Sequence, residues 1–512
     1  MVVAARGSEE AREVEIKLEF DPSHRAEIER HPLLASAEHE QKTLVSVYFD
    51  TEDRALWKGK LALRVRKAGP RYVQTLKGAE GAAELFDRPE WEWETSGLEP
   101  DLSLVEGTPL KGLLDDPVRA ELKPLFRTRI DRRLYHVPSN AAEVEVAIDQ
   151  GEIEADSRWS PVHELELELK RGEPADLFRL ARILATAVPL RLAVKTKAER
   201  GYDLAEGTAA GPEKAKPIAL DKNMTCAEAF RAIGENCLRQ IVVNERLVVG
   251  TGEAEALHQM RIGLRRLRAA IVVFAKMTSD SEQKRIKAEL KWITNELGPA
   301  RDLDVFAADV LKPIDEDAGH DEVRRAFAEA RAKAYEAATG SIASDRFRNA
   351  LLDIAEWIEV GPWTAGDAFR KLRERKIGKH AAKRLARLRN DVRDKGEDLR
   401  KLSPKQRHKL RIRAKTLRYA VEFFASIFPG GKTAKRREAA LTALKDMQDE
   451  LGALNDIAQR QALAHKTLAA HGHELEGKAE KLLAADANEV ERRLKRAEGA
   501  YKRFVKAKAF WT

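Results

Sequence analysis

The strongest constraint on how this chain folds is an alternation of charged and apolar residues that recurs up to about Tyr202. Glu13, Glu15, Lys17 and Glu19 alternate with Val14, Ile16, Leu18 and Phe20. Arg64 and Arg66 alternate with Leu63 and Val65, and Glu90, Glu92 and Glu94 with Trp91 and Trp93. Glu143, Glu145 and Asp149 alternate with Val144, Val146 and Ile148, and Glu164, Glu166 and Glu168 with Leu165, Leu167 and Leu169. Successive side chains of a strand point to opposite faces, so a period of two predicts strands with one charged face. The runs 13–20, 43–50, 61–67, 71–77, 88–95, 129–137, 143–149 and 164–170 are eight, enough to close an antiparallel barrel. For any one strand, the plain alternative is a half-exposed sheet whose charged face is solvated. Five strands with the same segregation, some acidic and some basic, favour a charged interior. Such a face is buried only if something compensates the cost, as divalent cations on its carboxylates and a polyphosphate on its cations would do.

From about Leu220 the period changes to that of long amphipathic helices rich in Ala, Leu, Arg, Lys and Glu. A Gly-, Ala-, Lys- and Pro-containing stretch separates the halves. The expected organisation is therefore a strand domain over 1–206, a linker over 207–220 and a helical domain over 221–512. The fold class is α+β multidomain: an N-terminal eight-stranded antiparallel β-barrel and a C-terminal all-α duplicated helical bundle.

The duplication is explicit. His258, Arg261, Arg265 and Arg268 recur in register as His408, Arg411, Lys415 and Arg418. Met260, Leu267, Ile271 and Phe274 recur as Leu410, Leu417, Val421 and Phe424. A second echo follows each copy, Glu296-Leu297-Gly298 and Glu450-Leu451-Gly452, with Asp302 and Asp456 just beyond. At about 100° per residue, positions i, i+3, i+7 and i+10 form one stripe of a helix. Each copy thus presents a histidine and three cations on one side and packs on another. A charge run is usually a solvated face. Its recurrence in register argues instead for a bound polyanion or an acidic partner.

Composition sets outer limits. Apolar residues make up 43% of the chain, enough for packed cores, and a net charge of +8 favours anionic partners. Two cysteines, Cys226 and Cys237, are too few for a disulfide framework or a cysteine metal site and fit a cytoplasmic setting. No stretch has the length and apolarity of a membrane span, and Met1–Arg6 does not resemble the apolar part of a signal peptide. No membrane partner is expected. Aromatics interleave too rarely with the cations for single-stranded nucleic acid to be a favoured partner. Gly430-Gly431-Lys432-Thr433 is not a P-loop, because Ser426 stands where the earlier glycine is required.

The strand half resembles the CYTH domains, the triphosphate tunnel metalloenzymes. Glu13-Val14-Glu15-Ile16-Lys17 matches their ExExK opening. Leu63-Arg64-Val65-Arg66, Thr75-Leu76-Lys77, 144–151, 164–169 and 195–202 follow in the family's order. The resemblance implies an eight-stranded tunnel that hydrolyses a triphosphate with Mg²⁺ or Mn²⁺. It implies Glu13, Glu15, Asp149, Glu164 and Glu166 as metal ligands, and Lys17, Arg64, Arg66, Lys77, Lys195 and one arginine of 127–133 as phosphate contacts; Arg132 fits the family spacing better than Arg129, and the sequence leaves the register of that segment open. Glu90 and Glu92 are candidates for the same interior. The helical half resembles the CHAD domain. That resemblance implies binding of inorganic polyphosphate by His258, Arg261, Arg265, Arg268, His408, Arg411, Lys415 and Arg418. The combined expectation is an inorganic triphosphatase, cleaving triphosphate to pyrophosphate and phosphate, with a polyphosphate-binding helical domain. The rivals are a polyphosphate-binding protein with minor catalysis and a hydrolase of thiamine triphosphate or a nucleoside triphosphate.

Overall fold

The computed structural model describes residues 11–78, 85–139, 142–208, 211–311, 321–468 and 487–511, so the chain start and linker positions 209–210 lie outside it. All eight alternating runs are strands: β1 (Ala11–Glu19), β2 (Glu38–Asp50), β3 (Leu61–Ala68), β4 (Arg71–Gly78), β5 (Asp87–Thr95), β6 (Lys123–Ser139), β7 (Ala142–Ala155) and β8 (Arg158–Arg171). A ninth, β9 (Arg191–Ala193), is too short for a period to register. Neighbours are antiparallel in the order β5-β4-β3-β2-β6-β7-β8-β1-β9. β1 also pairs with β5, from Ala11 opposite Glu90 to Val14 opposite Asp87, so backbone pairing links the two ends of the eight-strand series. β2 and β6 run past their alternating segments. Polar residues such as Glu38, His39 and Glu40 occupy both faces there, while backbone pairing continues as far as Glu38 opposite His136.

The apolar face is buried on the outside of this sheet. Ile16 and Leu18, Val146 and Ile148, and Leu165 and Leu167 are all 0% exposed. Burying such a side chain is worth about 1.5–3 kcal/mol. The short helices α1 (Arg25–Glu29), α2 (Pro32–Ala35), α3 (Ala55–Lys58) and α4 (Asp116–Glu121) lie in the connections. The cover over β1 and β8 is α5 (Pro174–Leu184), whose Leu177, Phe178, Ala181 and Leu184 face inward. The start of α6 (Lys197–Glu206) is set by Thr196, whose side chain accepts from the Glu199 amide. Tyr202 of α6 packs on Phe126 and stacks on Trp57, and its hydroxyl donates to Asp50 Oδ2 at 2.8 Å.

The remaining helices are α7 (Cys226–Thr251), α8 (Ala254–Val273), α9 (Gln283–Glu296), α10 (Gly298–Phe306), α11 (Asp321–Ile342), α12 (Asp345–Val360), α13 (Arg370–Arg373), α14 (Ile377–Gly396), α15 (Pro404–Phe423), α16 (Gly431–Leu468) and α17 (Ala487–Lys506). The chain divides into two compact units. One holds the residues up to Glu213 together with Val242–Leu247 and Ser344–Gly361; the other holds Lys214–Ile241, Val248–Ala343 and the chain from Pro362. In the first unit α12 therefore packs on α5 and β9, where Arg182 Nη2 reaches Asp353 Oδ1 at 2.7 Å. In the second, the repeated segments are α8 and α15, each 20 residues long. The two copies differ after the echo. Pro299 stands in the first turn of α10, where it restarts the helix, whereas Ala453 lets α16 run through as one 38-residue helix. Among the described residues, no helix is long and apolar enough to cross a membrane.

Candidate functional site

The charged faces of the strands meet around a cavity of about 780 Å³ in the first unit. Six cations (Lys17, Arg64, Arg66, Lys77, Arg132, Lys197) and four carboxylates (Glu13, Glu15, Glu166, Glu199) line it, which leaves an excess of positive charge. Strand parity brings most of them there: β1 supplies Glu13, Glu15 and Lys17, β3 supplies Arg64 and Arg66, and β8 supplies Glu166.

Most of these charges hold one another. Lys77 bonds Glu13 and lies 3.1 Å from Glu90, and Lys17 bonds Glu15. Arg132 forms a fork with Asp149, Nε to Oδ1 at 2.7 Å and Nη2 to Oδ2 at 2.6 Å, and also reaches Glu166. Arg64 Nη2 stands 3.7 Å from Glu90 and 3.9 Å from Glu92. Arg66 differs: its Nε donates to the Ser46 hydroxyl at 3.1 Å. Burial, followed by the nearby Arg64 and Arg132, pushes the Arg66 guanidinium down to about 10. For Arg132 burial acts the same way but is outweighed by Asp149 and Glu166, so its pKa rises. Burial pushes the Glu90 carboxyl up to about 7; Lys77 pulls the other way and Glu13 adds to the rise.

The structure places three of the expected residues, Lys195, Asp149 and Glu164, off the cavity wall. Lys195 does not line the cavity; its ammonium lies 2.8 Å from Asp203 Oδ2 and bonds Glu213. Lys197 takes that place and bonds Glu164 Oε2 at 2.6 Å, Glu166 Oε1 at 2.8 Å and Asp149 Oδ2 at 2.8 Å. The strand period stops at Ala193 and a helix begins at Lys197, so counting by twos from β9 selects Lys195, which the helix start turns away from the cavity. Thr196-x-x-Glu199 is a helix-start signature that locates the change. Asp149 and Glu164 are both 0% exposed and lie behind the cavity wall. Asp149 braces Arg132 and Lys197, and Glu164 braces Lys197 and Arg200, whose Nη1 is 2.7 Å away. Arg129 is exposed and Arg132 faces inward, which resolves the register of that segment.

Carboxylate oxygens are the right donors for a hard divalent cation, and Glu13, Glu15 and Glu166 face one space. As the side chains stand, no three acidic or imidazole groups among the described residues converge on one point. Each of these three is held by a lysine or arginine instead. The donor chemistry fits a metal ion that displaces those ammonium and guanidinium groups.

In the second unit the two repeated stripes face each other. Burial, then Arg411, Arg265 and Arg418, pushes the Lys415 ammonium down to about 7, so cations of both copies act on it. Burial, then Arg265, lowers Arg261 to about 10, with Asp302 opposing. Burial and Arg301 hold the His258 imidazole down to about 4. Asp456 faces Lys415 and Asp302 faces Arg261; burial raises the Asp302 carboxyl, with Arg261 opposing and Asp456 adding to the rise. The echo glycines mark equivalent approaches: a Cβ on Gly298 would lie 3.6 Å from Arg261 Nη1, and one on Gly452 2.9 Å from Arg411 Nη2. Arg301 belongs to this cluster although it lies outside the repeated stripe. Arg268 and His408 are exposed.

Residues 11–202 match the CYTH domain model and residues 232–465 match the CHAD domain model. A curated relative, the inorganic triphosphatase of Haemophilus influenzae, is 32% identical over 200 residues, which are 37% of this chain and 54% of that protein. The chain thus spans about half the length of this relative. Among solved structures, the CHAD domain from the plant Ricinus communis is 28% identical, covers 56% of this chain and 97% of its own, and has a TM-score of 0.47. HpAC1 from Hippeastrum, for which a dominant triphosphatase activity is described, is 20% identical, covers 38% of this chain and 97% of its own, and has a TM-score of 0.30. The chain carries a CYTH domain at its N-terminal side followed by a CHAD domain.

Proposed function

We propose that the cavity of the first unit hydrolyses inorganic triphosphate to pyrophosphate and phosphate, and that the facing stripes of the second unit bind inorganic polyphosphate. The observation that carries the first part is Arg66. It is a guanidinium on the cavity wall, beside Arg64 and Arg132, with a hydroxyl rather than a carboxylate as its partner. Repulsion of this kind is relieved by an anion with several charged oxygens. The name of the 32% identical relative points the same way.

Phosphoryl transfer needs alignment and charge neutralisation more than covalent assistance. Water attacks a terminal phosphorus, the bond to the bridging oxygen breaks, and pyrophosphate leaves with the negative charge. Arg64, Arg66 and Arg132 hold the chain of phosphates and stabilise the charge that moves onto the leaving group. Asp149 and Glu164 act behind them by fixing Arg132 and Lys197. Glu13, Glu15 and Glu166 are the residues that would hold Mg²⁺ or Mn²⁺, which supplies further neutralisation of phosphate oxygens when bound.

The test is release of phosphate and pyrophosphate by the purified chain from inorganic triphosphate, ATP, thiamine triphosphate and long-chain polyphosphate, with Mg²⁺ or Mn²⁺. Turnover is expected to be fastest on inorganic triphosphate and absent in a Glu13→Gln, Glu15→Gln variant that retains its circular dichroism. Turnover of none of these substrates removes the hydrolase reading. Faster turnover of ATP or thiamine triphosphate reassigns the substrate. Replacing Arg261, Arg265, Arg411 and Lys415 with Ala is expected to weaken polyphosphate binding, and unchanged binding removes that half of the proposal.

A further inference from the structure

A second cationic pocket lies in the CHAD unit, away from the facing stripes. It encloses about 820 Å³ of open space where the end of α8 meets α13 and the first turns of α14. Val272, Met277 and Leu372 supply an apolar wall. The rest is basic: Lys276, Arg375, His380, Lys383, Arg384 and Arg387, with no carboxylate among the described lining residues. His380, Lys383, Arg384 and Arg387 fall at i, i+3, i+4 and i+7, one face of α14.

Two of these groups are pinned by the helix they abut. Arg384 Nη2 donates to the Val272 carbonyl at 2.6 Å, and the His380 ring stacks on Phe274 at 5.1 Å and 8° while bonding the backbone of Val273. Capping of α8 accounts for that much. It leaves His380 Nε2 buried without a partner. It also leaves Lys276, Arg375, Lys383 and Arg387 without an ion pair among the described residues. Burial, with Arg384, Arg375 and Arg387 nearby, holds the imidazole down to about 4.

The pocket is not a by-product of the duplication. In the register that matches His258 to His408, Lys276 corresponds to Ser426 and Val272 to Glu422. The Ser426 hydroxyl is already bonded to both backbone groups of Leu220. The second copy thus carries an acid and a satisfied hydroxyl where the first carries an apolar wall and a cation.

We propose that this pocket binds an organic phosphate: an apolar body carrying two or more phosphate charges, in the size class of a nucleoside triphosphate. An inorganic polyanion would leave the apolar wall in water, and a neutral apolar ligand would leave the cations unneutralised. The site is distinct from the cavity of the first unit and from the paired stripes, so it stands independently of the function proposed for either.

ATP is the probe, added in EDTA to the full-length chain so that no metal-dependent turnover occurs. Amide exchange in 272–277 and 377–387 is expected to slow. Two variants test the pocket. Lys383→Glu with Arg387→Glu reverses two exposed cations. Val272→Glu, at a position 42% exposed, copies the residue of the other repeat. Each is expected to abolish the protection and to weaken ATP at this site by about tenfold or more, with hydrolysis of triphosphate and binding of long-chain polyphosphate unchanged. Absence of ATP protection in these two segments overturns the proposal. So does full protection in both variants. Displacement of ATP by an equal concentration of inorganic triphosphate also overturns it, because the apolar wall would then contribute nothing.

Discussion

Single residues decide what the two proposed anion sites do. Lys195 and Lys197 are two positions apart, yet one pairs with Asp203 and the other joins Asp149, Glu164 and Glu166. Lys197→Met is expected to cut triphosphate turnover by about a hundredfold or more, as for loss of a charge-stabilising donor, while Lys195→Ala changes it less than about threefold. A larger loss in Lys195→Ala than in Lys197→Met, measured by phosphate release, would return the role to Lys195. Lys415 sets a pH dependence. Its pKa in the free protein lies at about 7, below the usual lysine value of 10.5. A bound polyanion favours the charged form, so binding above about pH 7 requires uptake of a proton. Polyphosphate affinity is expected to fall about tenfold per pH unit from 7 towards 10, and to become flat in Lys415→Arg. Titration calorimetry in buffers of different ionisation enthalpy counts the proton directly.

At the scale of elements, strand pattern and helix start act together. The cavity-lining charges come from strands whose period is visible in the sequence, but the wall is completed by the first turn of α6. That helix lies against Phe126 at Gly201, where a Cβ would approach Phe126 Cε2 to 2.0 Å. Phe126 cannot yield easily, since it is 3% exposed and stacked on Tyr48 at 4.4 Å. Gly201→Ala is therefore expected to cost about 1–3 kcal/mol in a denaturant titration and to lower turnover by displacing Lys197. Full stability with full turnover would show that α6 has room to move. The same scale explains the unequal copies in the CHAD domain. The duplicated stripe was legible because α8 and α15 keep one register, whereas the break at Pro299 and the continuity through Ala453 follow from one residue difference.

At the scale of the molecule, the units are not consecutive lengths of chain. Residues 344–361 follow the first repeat in sequence and pack with the strand unit, where Phe347, Leu351, Ile354 and Ile358 of α12 are buried. A fragment ending at Glu213 lacks this helix and leaves Arg182 without Asp353 and Glu356. Its β9 amides are expected to exchange about tenfold or more faster than in the full chain, and equal protection would show that α12 adds nothing to that unit. The sequence by itself determined the eight strands, the charged and apolar faces, the helical half and the duplicated cationic stripe. Each is written in a local period of two or 3.6 residues, which the backbone reads without knowing its neighbours. Tertiary structure alone decided that Lys197 rather than Lys195 faces the cavity, that Asp149 and Glu164 brace cations behind its wall, that Arg301 joins the cluster of the repeated stripes, and that a separate basic pocket forms around His380. Those outcomes depend on register between strands and on which helix end abuts which face. Burial and charge pairing there are set by residues far apart in the chain.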